Sequence, residues 1–388
     1  MKTTYPKLLV LCSSILTCLI LLHCSKSLSA SSKADRTDTL KVQNNYASKD
    51  IVTINGITLN FDEIPFNGSS NIYQLPVAKS LKSAALENES RLLARSFNKQ
   101  YIAFSRTTYT DSVNTTLMVY SKSGTLQWEV KSPLRIVNFR VSEDGNYTYA
   151  VWQHYTDTLE TYYLTSYGKK GKVIDNIKGV EKFYTGKYAD KVYYQRKDVN
   201  GNPLIGFLNY SGNQKWEKSY FPDTKISSVS NNGNNSIIVS SFQKLFSSVD
   251  SKGRIIWEHK VSKTESLGFF SFSKDSKYLS WLPEIGKIKV FNNKNGNIIF
   301  QTDRMIINNE LIDPSSIKFV EGSDIIALID FIGGGAIKIF FVTVEGKYLT
   351  QTLIDHNYLN TPFLNQEDDS SIAIYFDGVK VKTVSLLK

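Results

Sequence analysis

Asp250-Ser251-Lys252-Gly253-Arg254-Ile255-Ile256-Trp257 is the stretch on which the reading of this chain turns. It is a polar turn, a glycine, and a tryptophan four residues after that glycine. The same spacing recurs at Gly124 to Trp128 and Gly212 to Trp216, and with a phenylalanine in the last place at Gly296 to Phe300. A weaker copy sits at Gly171. Successive copies stand about 40–45 residues apart, or about twice that, which is the period of a radially repeated β-fold with one four-stranded blade per repeat.

A second mark lies between these. Ile136, Val137, Phe139 and Val141 lead into Ser142-Glu143-Asp144-Gly145-Asn146-Tyr147, and Phe269, Phe270 and Phe272 into Ser273-Lys274-Asp275-Ser276-Lys277-Tyr278. Weaker copies turn at Asn98-Lys99, Gly186-Lys187, Asn231-Asn232-Gly233, Glu321-Gly322-Ser323 and Gln366-Glu367-Asp368-Asp369. Asp, Asn and Gly suit such turns because they bond the local backbone or tolerate positive φ. These turns predict an all-β chain, a single propeller of about seven four-stranded blades, or eight if residues 50–96 hold a further one.

The fifth unit reads in full. Leu267 to Phe272 is expected as its innermost strand, Tyr278 to Leu282 as the second, Ile288 to Phe291 as the third and Ile298 to Gln301 as the outermost. Each run is short, β-branched or aromatic, and closed by turn residues. The aromatic residues that follow the glycines, Trp128, Trp216, Trp257 and Phe300, fall on outer strands. There a large ring can bury between neighbouring blades while an indole N–H reaches a backbone carbonyl. We expect these four to dock the blades. The last unit supplies three strands, Pro362 to Leu364, Ile372 to Phe376 and Val379 to Leu386. An open fourth position would leave unpaired backbone groups, and Ile51 to Leu59, a strand-like run, is expected to fill it and close the ring. Ser80 to Ser96 is the one short helical candidate.

The repeat resembles the quinoprotein-like propeller superfamily, in which a polar turn, a glycine and a tryptophan at this spacing dock adjacent blades. Asp250 to Trp257 and Asn292 to Phe300 carry the resemblance most closely, and the Ser-x-Asp-Gly turn is similar to those of WD-repeat and periplasmic translocation-type propellers. The likeness covers roughly residues 50–388. It implies a fold and leaves the activity open, because the motifs are structural.

Composition agrees with one large β-domain. Hydrophobics at 41% and aromatics at 12% are ample for a core, and the unbroken repeat overrides the two or three domains that length alone suggests. The N-terminus predicts location. Lys2 and Lys7 flank the start of an apolar run, Leu8 to Leu22, which Cys24 and a Ser-rich stretch follow. That order reads as an export signal rather than a membrane span. Leu21-Leu22-His23-Cys24 resembles the bacterial lipobox, whose cysteine becomes a lipidated first residue, although His23 stands where Gly, Ala or Ser is usual. Cleavage after Ala30, or an uncleaved anchor, are the other readings. The expected organisation is a lipoprotein-type signal over 1–23, a flexible tether over 24–49 and the propeller over 50–388, with a lipid on Cys24 holding an exported protein to a bacterial envelope membrane.

All three cysteines, Cys12, Cys18 and Cys24, lie in the N-terminal signal and at the start of the tether, so the propeller is expected to hold no disulfide, no Cys-x-x-Cys motif and no thiolate metal site. Asn-x-Ser/Thr triplets occur at about the frequency this composition produces by chance, so glycosylation is not read from them. The net charge of +10 falls by two when Lys2 and Lys7 leave. Its densest group is Lys187, Lys191, Arg196 and Lys197, read as a solvated basic face, with anionic lipid or an acidic partner as the second reading. Nucleic acid is not an expected partner of an exported protein.

Motifs of chemistry are sparse. His154, His259 and His356 fall in different blades, and no Gly-x-Ser-x-Gly elbow or His-Glu-x-x-His helix is present. Gly333-Gly334-Gly335 lacks a following Lys-Ser/Thr and reads as a hairpin turn. In Asp198-Val199-Asn200-Gly201-Asn202, Pro203 and Asn209 replace the glycine and terminal glutamate of a calcium loop. Glu367-Asp368-Asp369 reads as a solvated turn. No catalytic residue, cofactor or metal is therefore expected. Two functions remain: a non-catalytic, envelope-tethered platform for a partner protein or envelope polymer, and a quinone-dependent or hydrolytic propeller enzyme with its site at the central channel. The family's quinone enzymes bring a vicinal cysteine pair and a carboxylate-bound calcium, and this chain lacks the pair, which favours the platform.

Overall fold

The computed structural model describes residues 51–54, 57–60, 73–74, 89–109, 112–156, 159–180, 182–307, 309–332, 336–355, 362–376 and 379–386. Short antiparallel strands joined in sequence order build it. The first sheet has five strands, Tyr73–Gln74, Glu89–Arg95, Tyr101–Tyr109, Val113–Ser121 and Leu126–Ser132. The next four are four-stranded: Arg135–Val141 to Val173–Lys178, Lys182–Thr185 to Lys215–Ser219, Lys225–Val229 to Ile255–Lys260, and Phe269–Phe272 to Ile298–Thr302. The sixth runs from Ser316–Phe319 to Tyr348–Asp355, and the seventh has three strands, Phe363–Asp368, Ser371–Phe376 and Val379–Ser385. Seven consecutive antiparallel sheets, each a simple up-and-down meander, are the blades of a propeller. The fifth matches the expected strands to within two residues at each end.

Burial follows strand position. Second strands are enclosed on both faces, so Asn235–Ser240 reads as an almost unbroken buried run with serines where space is short. Outer strands alternate, as in Ile255–Lys260, where Trp257 is buried and Ile255, Ile256 and Glu258 are exposed. The core is a series of layers between consecutive blades. Ile237, Val239, Phe246 and Trp257 of the fourth pack with Phe272, Leu279, Trp281 and Phe291 of the fifth. Similar layers join the first blade to the second and the sixth to the seventh.

Two expectations change. The helical candidate Ser80 to Ser96 gives way at its described end to a strand, Glu89–Arg95, paired along its whole length with Tyr101–Tyr109. Leu, Ala, Glu and Arg favour helix locally, and sheet pairing overrides that preference. Ile51 to Leu59 is a hairpin rather than one strand, with Ile51–Ile54 against Ile57–Asn60. None of its described pairings joins it to Val379–Ser385. Val52 and Ile54 instead pack on Leu93, Ile102, Phe104, Met118 and Tyr120 of the first blade. They lie on the side where each later blade receives the one before it.

Candidate interaction face

Because strands alternate in direction, every blade presents its inner-to-second and third-to-outer turns at one end of the propeller. Its second-to-third turns and the connections to the next blade lie at the other. The first will be called the turn end, the second the connection end.

At the turn end, hydrogen bonds pass from blade to blade. Asn98 Nδ2 donates to Glu143 O at 2.9 Å, the Lys187 N–H to Asn231 O at 2.8 Å, and Asn231 Nδ2 to Ser273 O at 2.8 Å. The Lys274 N–H donates to Ser323 O at 3.4 Å, the Glu321 N–H to Leu364 O at 2.8 Å and the Gln366 N–H to Glu321 O at 2.9 Å. The Lys187 side chain crosses this collar. Its Nζ lies 4.5 Å from the centre of the Phe97 ring and 4.9 Å from that of Tyr188, in the range of a cation–π contact. Burial raises the Glu321 carboxyl, and the charges of Lys187 and Lys274 offset part of that. Phe97, Lys187 and Glu321 belong to the first, third and sixth blades, none adjacent to another, so the Lys187–Phe97 contact and the pull of Lys187 on Glu321 run across the axis.

This corrects the expected basic face. Lys187 is buried, Lys191 pairs with Asp190 at 3.1 Å, and Arg196 forms a forked pair with Glu217 at 2.8 and 2.6 Å. Three of the four cations are thus engaged by their own molecule, and Lys197 is exposed. Two further cations lie on inner strands. Arg140 donates to Phe139 O and Asn138 Oδ1, both at 2.7 Å, and burial lowers it to about 10. Lys318 donates to Pro362 O, and burial lowers it to about 8.

The connection end is different. Val199, Phe242 and Ile285, at the tips of second-to-third turns, are 101%, 84% and 69% exposed. Tyr155, Phe331 and Ile332 end second strands there, Phe269 begins an inner strand, and Phe221, Ile306 and Leu311 lie in connections between blades; all are exposed. The remaining exposed large apolar residues sit on or beside outer strands, apart from Tyr210 in a turn. The tips are held by polar anchors. Ser240 Oγ donates to Asp223 Oδ1 at 2.6 Å, and the Phe242 N–H reaches the other oxygen. Burial pushes the Asp223 carboxyl up, but these hydrogen bonds outweigh it and leave it below the usual range. The turn at Asp198 is tied likewise, with Asn200 and Asn202 N–H groups on Asp198 Oδ1 at 2.8 Å.

The four aromatic residues singled out by spacing all meet the following blade. Trp128 Nε1 donates to Gly145 O at 3.2 Å, Trp216 Nε1 to Ser251 O at 2.7 Å and Trp257 Nε1 to Asn293 O at 2.7 Å. A β-carbon on Gly253 would lie 3.0 Å from the Trp216 ring and one on Gly296 2.8 Å from the Trp257 ring. Phe300 stands against Gly346 in the same way, and Ile174 against Gly212 where the repeat lacks a tryptophan. A β-carbon on Gly124 would lie 3.0 Å from Thr53 O and 3.5 Å from Val52. Cys24, His356 and Gly333 to Gly335 lie outside the described residues. Sequence reasoning passed over Lys187 as an axial group and the hairpin Met305–Ile312. The second was signalled in the sequence by Asn308-Asn309 between two apolar runs, the composition of a hairpin turn.

Among the described residues no three His, Cys, Asp or Glu side chains gather as they would around a metal ion. His259 is packed among Phe246, Trp281 and Phe291, and burial, then Lys289, lowers its pKa. His154 is exposed at the connection end, in another blade. A shallow recess of about 410 Å³ at the turn end is lined by Gln100, Tyr101, Ser121, Lys122 and Ser123.

No protein-family model matches the chain, and no curated protein sequence matches it. Solved structures with propeller folds do. Hsv2 of Kluyveromyces lactis, in a form with one loop replaced by a Gly-Ser linker, is 11% identical over 73% of this chain and 87% of its own, with a TM-score of 0.48. BamB from Moraxella catarrhalis is 14% identical over 81% and 89%, with a TM-score of 0.39. The dihydro-heme d1 dehydrogenase NirN is 13% identical over 78% and 72%, with a TM-score of 0.46.

Proposed function

We propose that this protein is a non-catalytic platform, tethered to the cell envelope through a lipid on Cys24, and that its connection end holds a partner protein. The observation that carries the reading is the unequal division of exposed apolar surface between the two ends. The turn end is laced together by its own hydrogen bonds, and Lys187 packs there on Phe97 and Tyr188. The connection end leaves aromatic and aliphatic side chains standing in solvent at loop tips. Exposed apolar surface on one face of a stable scaffold is the usual mark of a contact surface.

A photoactivatable crosslinker placed in cells at Val199, Phe242 or Tyr155, and for comparison at Lys99 or Lys274, tests this. One envelope protein captured repeatedly from the connection end, and not from the turn end, is the expected result. Equal capture from both ends, or none from the connection end, refutes the platform. Incubation with pyrroloquinoline quinone and calcium should give no dye reduction with alcohols or sugars, and saturable turnover would restore the enzyme reading.

A further inference from the structure

Among the described connections between blades, the one joining the fifth to the sixth folds into a sheet of its own. Met305–Ile307 pairs with Glu310–Ile312 in the register Met305 to Ile312, Ile306 to Leu311 and Ile307 to Glu310. Met305, Ile307 and Ile312 point inward and join the layer formed by Ile288, Val290, Ile317 and Leu328. Ile306 and Leu311, directly opposite each other, point outward and are 67% and 47% exposed. Neither strand has a second neighbour among the described residues, so each presents an outer edge of unpaired backbone groups.

The neighbourhood extends this apolar pair. A β-carbon on Gly286 would lie 2.8 Å from Asp313 Oδ1, which brings the turn carrying Ile285 against the end of the hairpin. Lys338 pairs with Glu310, and Lys338 lies across from Asp330 in the sixth blade, one residue before exposed Phe331 and Ile332. Strand alternation puts Ile332 on the same face as Ile326, Leu328 and Asp330, toward the hairpin, and turns Phe331 toward the seventh blade; Ile285, the Ile306–Leu311 pair and Ile332 therefore form one surface. Its charge is opposite to that of the molecule. Glu284 is matched by Lys287 and Glu310 by Lys338, which leaves three aspartates, Asp303, Asp313 and Asp330, to one arginine, Arg304, within a chain of net charge +10. Burial, and then the charge of Asp313, raises the Asp330 carboxyl, and Lys338 offsets part of that.

We propose that this hairpin receives an extended segment of a partner protein in which apolar side chains alternate with lysine or arginine. Building on the platform reading, it names the kind of segment held and where. An added strand satisfies the free edge through its backbone, puts every second side chain on Ile306, Leu311 and Ile332, and directs its cations to the carboxylates. Strand addition fits the edge better than a docked helix, which would cover the apolar pair and leave the edge groups unpaired.

The test uses the full chain and a fluorescent nonapeptide of alternating valine and lysine. Its companions are a valine–glutamate version and a valine–lysine version methylated on alternate backbone nitrogens. Saturable anisotropy is expected for the lysine peptide, with no binding by the glutamate peptide and affinity at least about tenfold weaker for the methylated one. Ile306→Asp and Leu311→Asp, both at exposed positions, should weaken binding about tenfold or more without moving the melting temperature. Undiminished binding of the methylated peptide, or wild-type affinity in both variants, overturns strand addition, as does the absence of saturable binding by the lysine peptide. If crosslinks from Phe242 persist after such a result, only this inference falls. If they are absent too, the platform reading falls with it.

Discussion

Replacing Trp257 with alanine tests whether blades are fastened by an indole lying on a glycine turn. Trp257 is 8% exposed, stacks on Phe291 at 5.8 Å and donates to Asn293 O at 2.7 Å. Removing so large a buried side chain costs roughly 3–5 kcal/mol. Burial alone would produce that loss anywhere in a core, so the informative experiment adds Gly296→Ala. In the wild type a new β-carbon there would lie 2.8 Å from the indole, on a residue whose φ is +73°. It must displace the ring and also hold an L-residue in the left-handed region, at about 1–2 kcal/mol for the backbone alone. Without Trp257 the steric part is gone and only the backbone part remains. Urea titrations of the two single variants and the double variant should give a coupling of at least about 1 kcal/mol, with Gly296→Ala milder in the alanine background. If Gly296→Ala costs the same with and without the indole, glycine and tryptophan are not a docking pair. If Trp257→Ala changes stability by less than about 0.5 kcal/mol, the residue behaves like a surface site and the fastening role is wrong.

Deleting residues 50–61 should lower the melting temperature sharply, and Val52→Asp should do so to a smaller extent, because Val52 stands against Gly124 as the outer-strand rings stand against later glycines; an unchanged melt for both would show that ring closure does not depend on this segment. Lys318 shifts from 10.5 to about 8 on burial, so below pH 8 the native state bears the cost of a buried charge. Between pH 8 and 10.5 the unfolded chain holds the proton more tightly, and stability must rise with pH there. Lys318→Met should therefore be the more stable protein at pH 7.5, with a lead that shrinks by about 2 kcal/mol at pH 9.5 in urea titrations. A lead that does not change with pH would remove the titration from Lys318. Labelled palmitate should enter the wild type and be lost in Cys24→Ala, and equal labelling of both would place the lipid elsewhere.

The blades were legible because their marks are local in sequence and repeated. A glycine and a ring four residues apart record a contact between two blades, and Asn, Asp and Gly turns record where each strand ends. Burial of the second strands was not legible, since Asn235–Ser240 is almost wholly buried although Asn and Ser make up half of it. Glu89–Arg95 was misread because its composition prefers helix and only its partner strand makes it extended. The basic group around Lys187 was read as solvated because most of the groups that bury or pair it lie far from it in sequence, Asp190 beside Lys191 being the exception. Phe97 comes from the first blade, Glu217 from the outer strand of the third and Glu321 from three blades further on. The outward pair on the Met305–Ile312 hairpin went unremarked for a simpler reason. It falls between two repeats, where a reading organised by period does not look.

The contact of each glycine turn with the ring before it has a direction, and that direction matters to a chain made from its N-terminus. The indole of Trp128 is covered by the turn at Gly171, that of Trp216 by Gly253, and that of Trp257 by Gly296. Every blade thus emerges with one uncovered flank, and the next stretch of about 40 residues closes it. The first blade is exempt at its other flank, because Val52 and Thr53 are already synthesised when Gly124 appears. Assembly can then advance like a zip, with one sticky surface exposed at a time and its lifetime set by the delivery of a single repeat. A stall between Trp257 and Gly296 would leave the fourth blade's ring open for as long as the stall lasts, and slowing translation there should increase aggregation more than slowing it just after Gly296.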